Sequence, residues 1–571
     1  MAEATLHVGD RIPLHLDSLA VGGEVVGRHE GMAVFAMWGC PGDIAEVEIT
    51  EVARSFARGL VRSVISPSPD RVQAPCPHFG DCGGCQLQHL SYPAQLRHKT
   101  AMVREALARI GGIQTSPPSP LSKTGEGAGK PDAAGGVLVG ETWGMEKQPW
   151  FYRNRAEYHA ALDDKGQLVL GFARHHSHDV VPLRECNLQH PFSEAARKAV
   201  LAHMPRVAQT PGERAALLGV ETLVSFASGK GLVTLICAGR PAFVPSLADA
   251  LHADLPDLVG VLAARRRGHA AHRSPAELVW GEYHVTERLA GQEYRVSGDS
   301  FFQSNPGQAG RMIGLVSEWA SPPFDSAQGR PVPLSKTGEG ASRAGLVLDL
   351  YSGVGTFLLP LARGARRAIG VEESESAVED AKANARAWRL RNITLHERRV
   401  ERILPRLAER ASPPTPSPRL ERGRQTSPPF PPLRARRGGD NSRERESEAA
   451  RGEVPDVVVL DPPRKGCGPI VTALVAKLRP RRIILVSCHP ATLARDLKSF
   501  AEHGYPCRRV QPIDMFPQTW HVEAVAVCEP VTAPPIPTPP GQHRSPSGSA
   551  MGEVQQDLWT PQSNDPLRGC T

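Results

Sequence analysis

The residue of this sequence whose surroundings best suit covalent chemistry is Cys488. It follows the apolar run Ile-Ile-Leu-Val at 483–486, which is typical of a strand buried on both faces. Pro490 suits the first turn of a helix, and Leu493 and Leu497 then recur at helical spacing. The pattern places the thiol where open α/β sheets bind ligands and where a helix N-terminus favours the thiolate. A buried structural cysteine is the alternative.

Further upstream, three apolar runs end in residues suited to binding a ligand. Residues 346–350 lead into Tyr-Ser-Gly-Val-Gly-Thr, a turn whose glycines let a ligand approach the backbone. The next run ends at Glu372, about 20 residues later, where a carboxylate can accept both hydroxyls of a ribose. The third ends at Asp461. Because Leu358 breaks the G-x-G-x-x-G pyrophosphate pattern, adenosine without a diphosphate fits better, which indicates S-adenosylmethionine. A different ligand on the same kind of sheet is the alternative.

The residues around Asp461 and Cys488 indicate how a methyl acceptor is activated. Asp461-Pro-Pro is followed by Arg464 rather than by an aromatic residue that could stack on an amine-bearing base. A Cys488 thiolate can instead add to C6 of a pyrimidine and make C5 nucleophilic. Glu523, at the start of the last apolar strand, suits the base that removes the C5 proton. His521 is the alternative base, because strand alternation predicts the same face for it.

Four further cysteines suggest a metal centre. Three of them form a C-x5-C-x2-C cluster with glycines between, at Cys76, Cys82 and Cys85, and Cys186 is the natural fourth ligand. This spacing favours an iron–sulfur cluster over structural zinc, which usually takes two C-x2-4-C pairs. It also differs from the C-x3-C-x2-C spacing of radical enzymes. Zinc, or unrelated buried cysteines, are the alternatives.

The N-terminal residues carry the pattern of a small β-barrel. Short alternating stretches at 12–16, 32–36 and 44–49 are separated by turns such as Gly22-Gly23 and Pro41-Gly42. Barrels of this OB-like kind often bind nucleic acid, although the fold alone does not establish binding.

Chain length, net charge and cysteine content limit which classes of protein this chain can belong to. The 571 residues suffice for roughly three or four domains. No run of 18 apolar residues and no signal pattern occur, so we expect a soluble cytoplasmic protein without membrane contact. The net charge of +7 is compatible with a polyanionic partner, and eleven cysteines in the cytoplasm favour metal binding or catalysis over disulfides.

Proline- and glycine-rich stretches interrupt these segments. The chain has 54 glycines and 53 prolines, unevenly distributed. Their placement predicts disordered insertions at 115–136, 321–343 and 412–452 and a disordered tail at 530–571. Surface loops can accommodate inserted segments of this composition without disturbing the hydrophobic core.

Together these pieces resemble the RNA 5-methyluridine methyltransferases, in particular the branch with an N-terminal TRAM barrel and a [4Fe-4S] cluster that acts on 23S ribosomal RNA. The resemblance covers 5–529, apart from the insertions, and rests on the following residues: Cys76, Cys82, Cys85, Cys186, Asp299-Ser-Phe-Phe-Gln303-Ser-Asn, Leu348-Asp-Leu-Tyr-Ser-Gly-Val-Gly-Thr-Phe357, Val371-Glu372, Asp461-Pro-Pro-Arg-Lys-Gly466, Ser487-Cys488 and His521-Val-Glu523. The chain departs from it at Thr356 and His489, where some or many members have Asn, and at Arg399, where an acid or amide is common.

The resemblance implies a fold of three domains. These are an OB-like TRAM barrel at 5–66, a central α+β iron–sulfur domain at 67–297, and a Rossmann-like class I α/β methyltransferase domain at 298–529. The implied protein is a monomer with RNA as its partner. The resemblance also assigns site residues: Gln303, Tyr351, Thr356, Glu372 and Asp461 for S-adenosylmethionine, Cys488 as nucleophile, Glu523 as base, and Cys76, Cys82, Cys85 and Cys186 for the cluster.

The implied activity is S-adenosylmethionine-dependent C5-methylation of a specific uridine in 23S rRNA through a covalent Cys–C6 adduct. A tRNA T-loop uridine is the alternative target. Two other classes stay open: an amine or carboxyl methyltransferase on the same fold, and a non-catalytic RNA-binding iron–sulfur protein.

Overall fold

The computed structural model describes residues 6–116, 136–266, 273–321, 344–411 and 454–531. These residues belong to a single unit of the chain, Met1–Thr532. The predicted insertions lie largely outside the described residues, as does the predicted tail from 532 onward.

Five N-terminal strands close into a barrel in the order β1-β2-β3-β5-β4. Burial alternates along β1, with Leu14 and Leu16 inside and their neighbours exposed, as one solvated face requires. The predicted barrel is therefore present, and two of its strands, β2 and β5, were not among the stretches recognised in the sequence. The strands are β1 Arg11–Leu19, β2 Val25–His29, β3 Met32–Met37, β4 Ile44–Val52 and β5 Phe56–Ser66.

A loop segment at 76–91, which we call the cysteine segment, connects the barrel to the first long helix. This helix, α1 at Tyr92–Arg109, begins with Pro93 in its first turn and buries Gln95, Lys99 and Thr100 along with apolar residues. Two short strands follow, β6 at Thr115–Ser116 and β7 at Val137–Val139.

The central part of the chain forms a seven-stranded sheet in the order β10-β9-β8-β11-β12-β13-β14. Helices α2 and α4 cover it and share one apolar core with strands β8, β11 and β12. The elements are β8 Arg155–Leu162, β9 Leu168–Ala173, β10 Val180–Pro182, α2 Pro191–Val207, α3 Pro211–Arg214, β11 Leu217–Val224, β12 Gly231–Cys237, α4 Val244–Asp254, β13 Leu258–Arg265 and β14 Glu277–Gly281. A separate hairpin of β15 His284–Leu289 and β16 Gln292–Ser297 follows.

The C-terminal part builds a nine-stranded sheet in the order β19-β18-β17-β20-β21-β23-β22-β7-β6. The five strands from β19 to β21 in this sheet order, namely β19, β18, β17, β20 and β21, run parallel and are joined through helices. This is the predicted Rossmann-like arrangement. The elements are α5 Pro306–Ala320, β17 Ala344–Leu350, α6 Leu358–Arg363, β18 Ala365–Glu372, α7 Glu375–Ala387, β19 Ile393–Glu397, α8 Val400–Ala411, β20 Val457–Leu460, α9 Gly468–Lys477, β21 Arg482–Ser487, α10 Pro490–Glu502, β22 Cys507–Ile513 and β23 Glu523–Cys528.

The segment from α1 to β7 belongs to this C-terminal sheet, although the sequence analysis placed it in the central domain at 67–297. Strand β7 runs parallel to β22, with Leu138 opposite Arg509, and α1 packs against α10. Thr115 and Ser116, expected inside an insertion, form β6. Strands this short show no readable alternation, so only pairing with a distant partner reveals them.

Among the helices in the described parts of the chain, none is both long enough and apolar enough to cross a membrane.

Candidate active site

Four of the residues singled out in the sequence meet at one edge of the C-terminal sheet. Strands β18, β17, β20 and β21 are consecutive parallel neighbours, so their carboxyl ends lie side by side. Glu372 ends β18, Tyr351 follows β17, Asp461 follows β20, and Cys488 follows β21. This is the edge at which sheets of this kind bind ligands.

The turn after β17 has the backbone conformation that its glycines permit. Gly353 and Gly355 have φ values of 53° and 90°, and Tyr351 adopts φ 69°, which is uncommon for a residue with a side chain. Gly353 donates its backbone N–H to Glu372 over 2.9 Å. Thr356, in the same turn, is buried, and its carbonyl accepts a hydrogen bond from the Tyr294 hydroxyl.

Glu372 is held by the backbone around it. One carboxyl oxygen accepts from Gly353, and the other accepts from the N–H groups of Glu373 and Ser374, each over 2.9 Å. A carboxylate has about four acceptor sites, so these three bonds orient it and leave about one site for a further donor such as a ribose hydroxyl.

Gln303 and Asp461 are in direct contact across the same edge. The Gln303 amide donates to the Asp461 carboxyl over 3.1 Å, and Asn154 in turn donates to the Gln303 carbonyl over 3.0 Å. Burial of the carboxyl, together with the charge of Glu372, raises the pKa of Asp461 to about 7, while the Gln303 bond opposes the rise. This carboxyl therefore titrates near neutral pH.

Asp349 is a further acid at this site that the sequence analysis did not assign. It is fully buried in β17, and within the described residues neither of its carboxyl oxygens has a hydrogen-bond partner. Burial, and then the charges of Asp461 and Glu372, raise its pKa well above the usual range; the Leu358 backbone amide lowers it by less. Asp349 lies within the 346–350 run, which the sequence pattern marks only as a buried apolar strand, so no local signal indicated a functional acid there. Three carboxyl groups thus lie within electrostatic reach of one another, an arrangement that a cationic ligand would stabilise.

Cys488, which follows β21, and Glu523, which begins the neighbouring strand β23, lie within electrostatic reach of each other. Glu523 is buried, and its Oε1 lacks a hydrogen-bond partner among the described residues. Burial, followed by the charge of Asp461, raises the pKa of Glu523 well above its usual range, and Arg464 lowers it. A carboxyl of this kind is a strong proton acceptor once it is ionised.

The expectation that the helix N-terminus favours the Cys488 thiolate is wrong for the protein without ligands. Burial, and next the charge of Glu523, raise the pKa of Cys488 to about 11, and Arg464 opposes this. Cys488 does precede α10 as predicted, but the nearby acids and the loss of water outweigh the helix dipole. Arg464 is thus a nearby positive charge that favours ionisation of the thiol.

His521 occupies a different position from the one strand alternation predicted. It precedes β23 rather than lying on it, stacks at 4.1 Å on Trp520, and has its Nε2 3.5 Å from Arg464. Burial, and then the charge of Arg464, lower the pKa of His521 to about 3. A ring that stays neutral in this way is a weak base, so Glu523 is the better candidate.

The four cysteines suggested as metal ligands line a single cavity of about 230 Å³. Cys85 lies within electrostatic reach of Cys82 and Cys186, and Cys82 within reach of Cys76. Burial is the main cause that raises the pKa of Cys186 to about 11 and the pKa of Cys82 and Cys85 above the usual range. Buried neutral thiols of this kind ionise when a metal replaces their protons.

The same thiols are not arranged around a single ion. In the described parts of the chain, no group of three or more His, Cys, Asp or Glu side chains is placed to hold one metal ion. Thiolates on one zinc ion converge within about 2.3 Å of it. The iron–sulfur cluster at these four cysteines therefore stays a prediction.

The chemistry available at the site combines three parts: a group of acids suited to a cation, a thiol beside it, and a buried carboxyl near the thiol. Because Cys488 follows β21 and Glu523 begins the neighbouring strand β23, the two groups can act on adjacent atoms of one flat ring. Arg464 and Lys465, which follow Asp461-Pro-Pro, are exposed.

Comparison with known proteins places the chain among RNA-modifying enzymes. Residues 453–529 match the family model described as tRNA (uracil-5-)-methyltransferase. An RNA methyltransferase of Halalkalibacterium halodurans is 30% identical over 538 residues, which cover 92% of this chain and 98% of the relative. An RNA methyltransferase of Gloeobacter violaceus is 30% identical over 529 residues, which cover 91% of this chain and 97% of the relative.

A solved structure shows the same fold. The tRNA (uracil-54, C5)-methyltransferase of Pyrococcus abyssi, in complex with S-adenosyl-L-homocysteine, aligns with a TM-score of 0.56 at 22% identity. The alignment covers 91% of this chain and 100% of that one. Shared length and sequence with the bacterial relatives, together with the C-terminal match, show that the chain belongs to the RNA methyltransferase family and is an RNA methyltransferase.

Proposed function

We propose that this enzyme uses S-adenosylmethionine to methylate C5 of a uridine in 23S rRNA through a covalent adduct with Cys488. The observation that carries the proposal is the thiol of Cys488 near the buried carboxyl of Glu523, which in turn lies within electrostatic reach of Asp461. The family model matched by residues 453–529, which contain both, is described by the same uracil C5 chemistry.

The pocket supports S-adenosylmethionine as the donor. This molecule supplies an electrophilic methyl group on a positively charged sulfur. Glu372 is oriented to accept a ribose hydroxyl. Gln303 bonds to Asp461 from the segment before α5, and Tyr351 and Thr356 belong to the glycine turn. A positively charged ligand would favour the ionised forms of the buried acids Asp349 and Asp461, whose pKa values burial raises, whereas an anionic nucleotide would be repelled by them.

The chain's own groups account for the remaining chemistry. Arg464 lowers the pKa of Cys488 and of Glu523 and so favours the ionised form of both. The Cys488 sulfur adds to C6 of uracil, which makes C5 nucleophilic. After C5 has been methylated, Glu523 removes the C5 proton and the thiolate leaves. A uridine inside a paired helix cannot reach the thiol, so the target must be single-stranded or flipped out.

The cysteine cavity supports a [4Fe-4S] cluster held by Cys76, Cys82, Cys85 and Cys186. Four thiolates would leave no iron open for catalysis. The cluster's role would be to fold the cysteine segment and to shape the surface that contacts RNA, together with the barrel.

A tRNA T-loop uridine is the second candidate target. It is favoured by the description of the matching family model and by the activity named for the Pyrococcus abyssi enzyme. The bacterial relatives are described only as RNA methyltransferases. Membership in that family argues against a non-catalytic RNA-binding protein.

One experiment tests both chemistry and target. Unmodified tRNA and 23S rRNA fragments are each incubated with labelled donor at matched salt, and the modified base is identified by mass spectrometry of nucleosides. We expect 5-methyluridine in a 23S loop fragment. Methylation of tRNA alone would move the target to the T-loop, and a methyl group on nitrogen would reject the C5 mechanism.

A further inference from the structure

The 514–522 segment, which leads from β22 to Glu523, is held by a part of the chain far away in sequence. The Gln518 carbonyl accepts the backbone N–H groups of Gln86 and Leu87 over 3.1 and 3.0 Å. Both donors follow Cys85 directly in the cysteine segment. The turn before the base is therefore tied to the segment that lines the cysteine cavity.

Gln95 of α1 completes this connection with a reciprocal pair of hydrogen bonds. Its Nε2 donates to Gln518 Oε1 and its Oε1 accepts the Gln518 backbone N–H, each over 3.0 Å. The same Nε2 also donates to the carbonyls of Leu87 and Leu90 over 3.0 Å. Gln95 is 1% exposed, so every polar atom of its amide is used in a place without water.

The turn needs such restraint because its backbone is strained. Gln518 adopts φ 69°, in the left-handed region that residues with side chains rarely occupy. A second anchor fixes the start of the segment: Lys99 donates to the Asp514 carboxylate and, over 3.1 Å, to the Phe516 carbonyl. Both charged side chains are fully buried.

Glu523 begins β23 directly after this segment and lies opposite Ile513 of β22. Its Oε1 finds no hydrogen-bond partner in the described part of the chain, so side-chain bonds do not hold that oxygen in place. Cys488 lies between β21 and α10, outside the 514–522 segment.

We propose that Gln95 is a positioning residue for the base: it holds the strained Gln518 turn against the cysteine segment and thereby places the Glu523 carboxyl. The inference rests on the proposed Cys488 adduct. Its consequence is specific to one step. Loosening the turn slows removal of the C5 proton and leaves attack by the thiol unchanged, so the methylated RNA stays attached to the enzyme.

The test uses the full-length Gln95→Leu variant, with Gln518→Ala as a second variant that keeps the backbone bonds to the cysteine segment. Thr100→Val is the matched control, because Thr100 is buried on the same helix and bonds to Thr142 over 2.7 Å instead of to the 514–522 segment. Readouts are the covalent complex with plain RNA on denaturing gels, turnover, and S-adenosylmethionine affinity.

We expect both glutamine variants to lose about tenfold to a hundredfold in turnover while the plain-RNA complex accumulates. Donor affinity and trapping by 5-fluorouridine RNA should match the parent. Reduced turnover without accumulation, or equal accumulation in Thr100→Val, would overturn the proposal. If Gln95→Leu does not fold, Gln518→Ala decides by the same criteria. Absence of any 5-fluorouridine complex in the parent would instead reject the adduct mechanism itself.

Discussion

The amide of Gln303 donates a 3.1 Å hydrogen bond to the carboxyl of Asp461, which joins the segment before α5 to the end of β20. This bond opposes the rise in the Asp461 pKa that burial causes. The ionisation of the Asp461 carboxyl is thus influenced by Gln303, a residue from a distant part of the chain.

S-adenosylmethionine affinity should depend on pH near neutrality. A cationic ligand prefers the Asp461 carboxylate, and this pKa is raised to about 7, so affinity should be full above that pH and fall as the pH drops below it. Gln303→Leu should weaken binding and move the midpoint upward, because it removes the bond that lowers the pKa. Calorimetric titration with S-adenosylmethionine at a series of pH values measures both the affinity and the midpoint of its pH dependence. Affinity that stays constant from about pH 6 to pH 8 would contradict the assignment.

Substitution of the nucleophile and of the base should have opposite effects on the RNA complex. Cys488→Ala should abolish methyl transfer and trapping by 5-fluorouridine RNA while S-adenosylmethionine binding stays near that of the parent. Glu523→Gln should trap plain RNA, because the C5 proton cannot be removed. His521→Phe is the control: since the pKa of this ring is held near 3, its loss should not trap RNA. Equal trapping by Cys488→Ala and the parent would reject the mechanism.

Arg464 should set how readily the thiol reacts. It lowers the pKa of Cys488, so Arg464→Met should raise that pKa further and slow complex formation with 5-fluorouridine RNA by about tenfold for each unit of pKa. The decrease in the rate of complex formation should become smaller as the pH is raised, because the Cys488 thiol then ionises even without the charge of Arg464. Arg464→Lys, which keeps the charge, should retain most of the rate. A pH-independent loss would mean that Arg464 binds RNA and leaves the thiol unaffected.

The cysteine cavity should hold iron. Protein purified without oxygen should be brown and contain about four irons per chain. Single Cys→Ser changes at Cys76, Cys82, Cys85 or Cys186 should lower the iron content, whereas Cys237→Ser, a buried cysteine of β12, should not. Elemental analysis that finds zinc without iron would assign the site to structural zinc instead.

The amino-acid sequence by itself determined the parts of the fold that rest on local pattern. The apolar runs before Tyr351, Asp461 and Cys488 became strands β17, β20 and β21, and Pro490 opens a helix as expected. These predictions held because burial of a continuous apolar run between two helical layers and a proline in a first turn are decided within a few residues. The glycine turn likewise required φ values that Gly353 and Gly355 permit.

Only the tertiary structure decided the features that depend on distant neighbours. The joining of β7 to β22 and the bonds from Gln95 to Gln518 connect segments separated by hundreds of positions, which no local periodicity encodes. The raised pKa of Cys488 is of the same kind. The helix N-terminus is visible in the sequence, but the burial and the charge of Glu523 that outweigh it exist only once β23 lies beside β21, because electrostatic interactions follow distance in space and not separation along the chain.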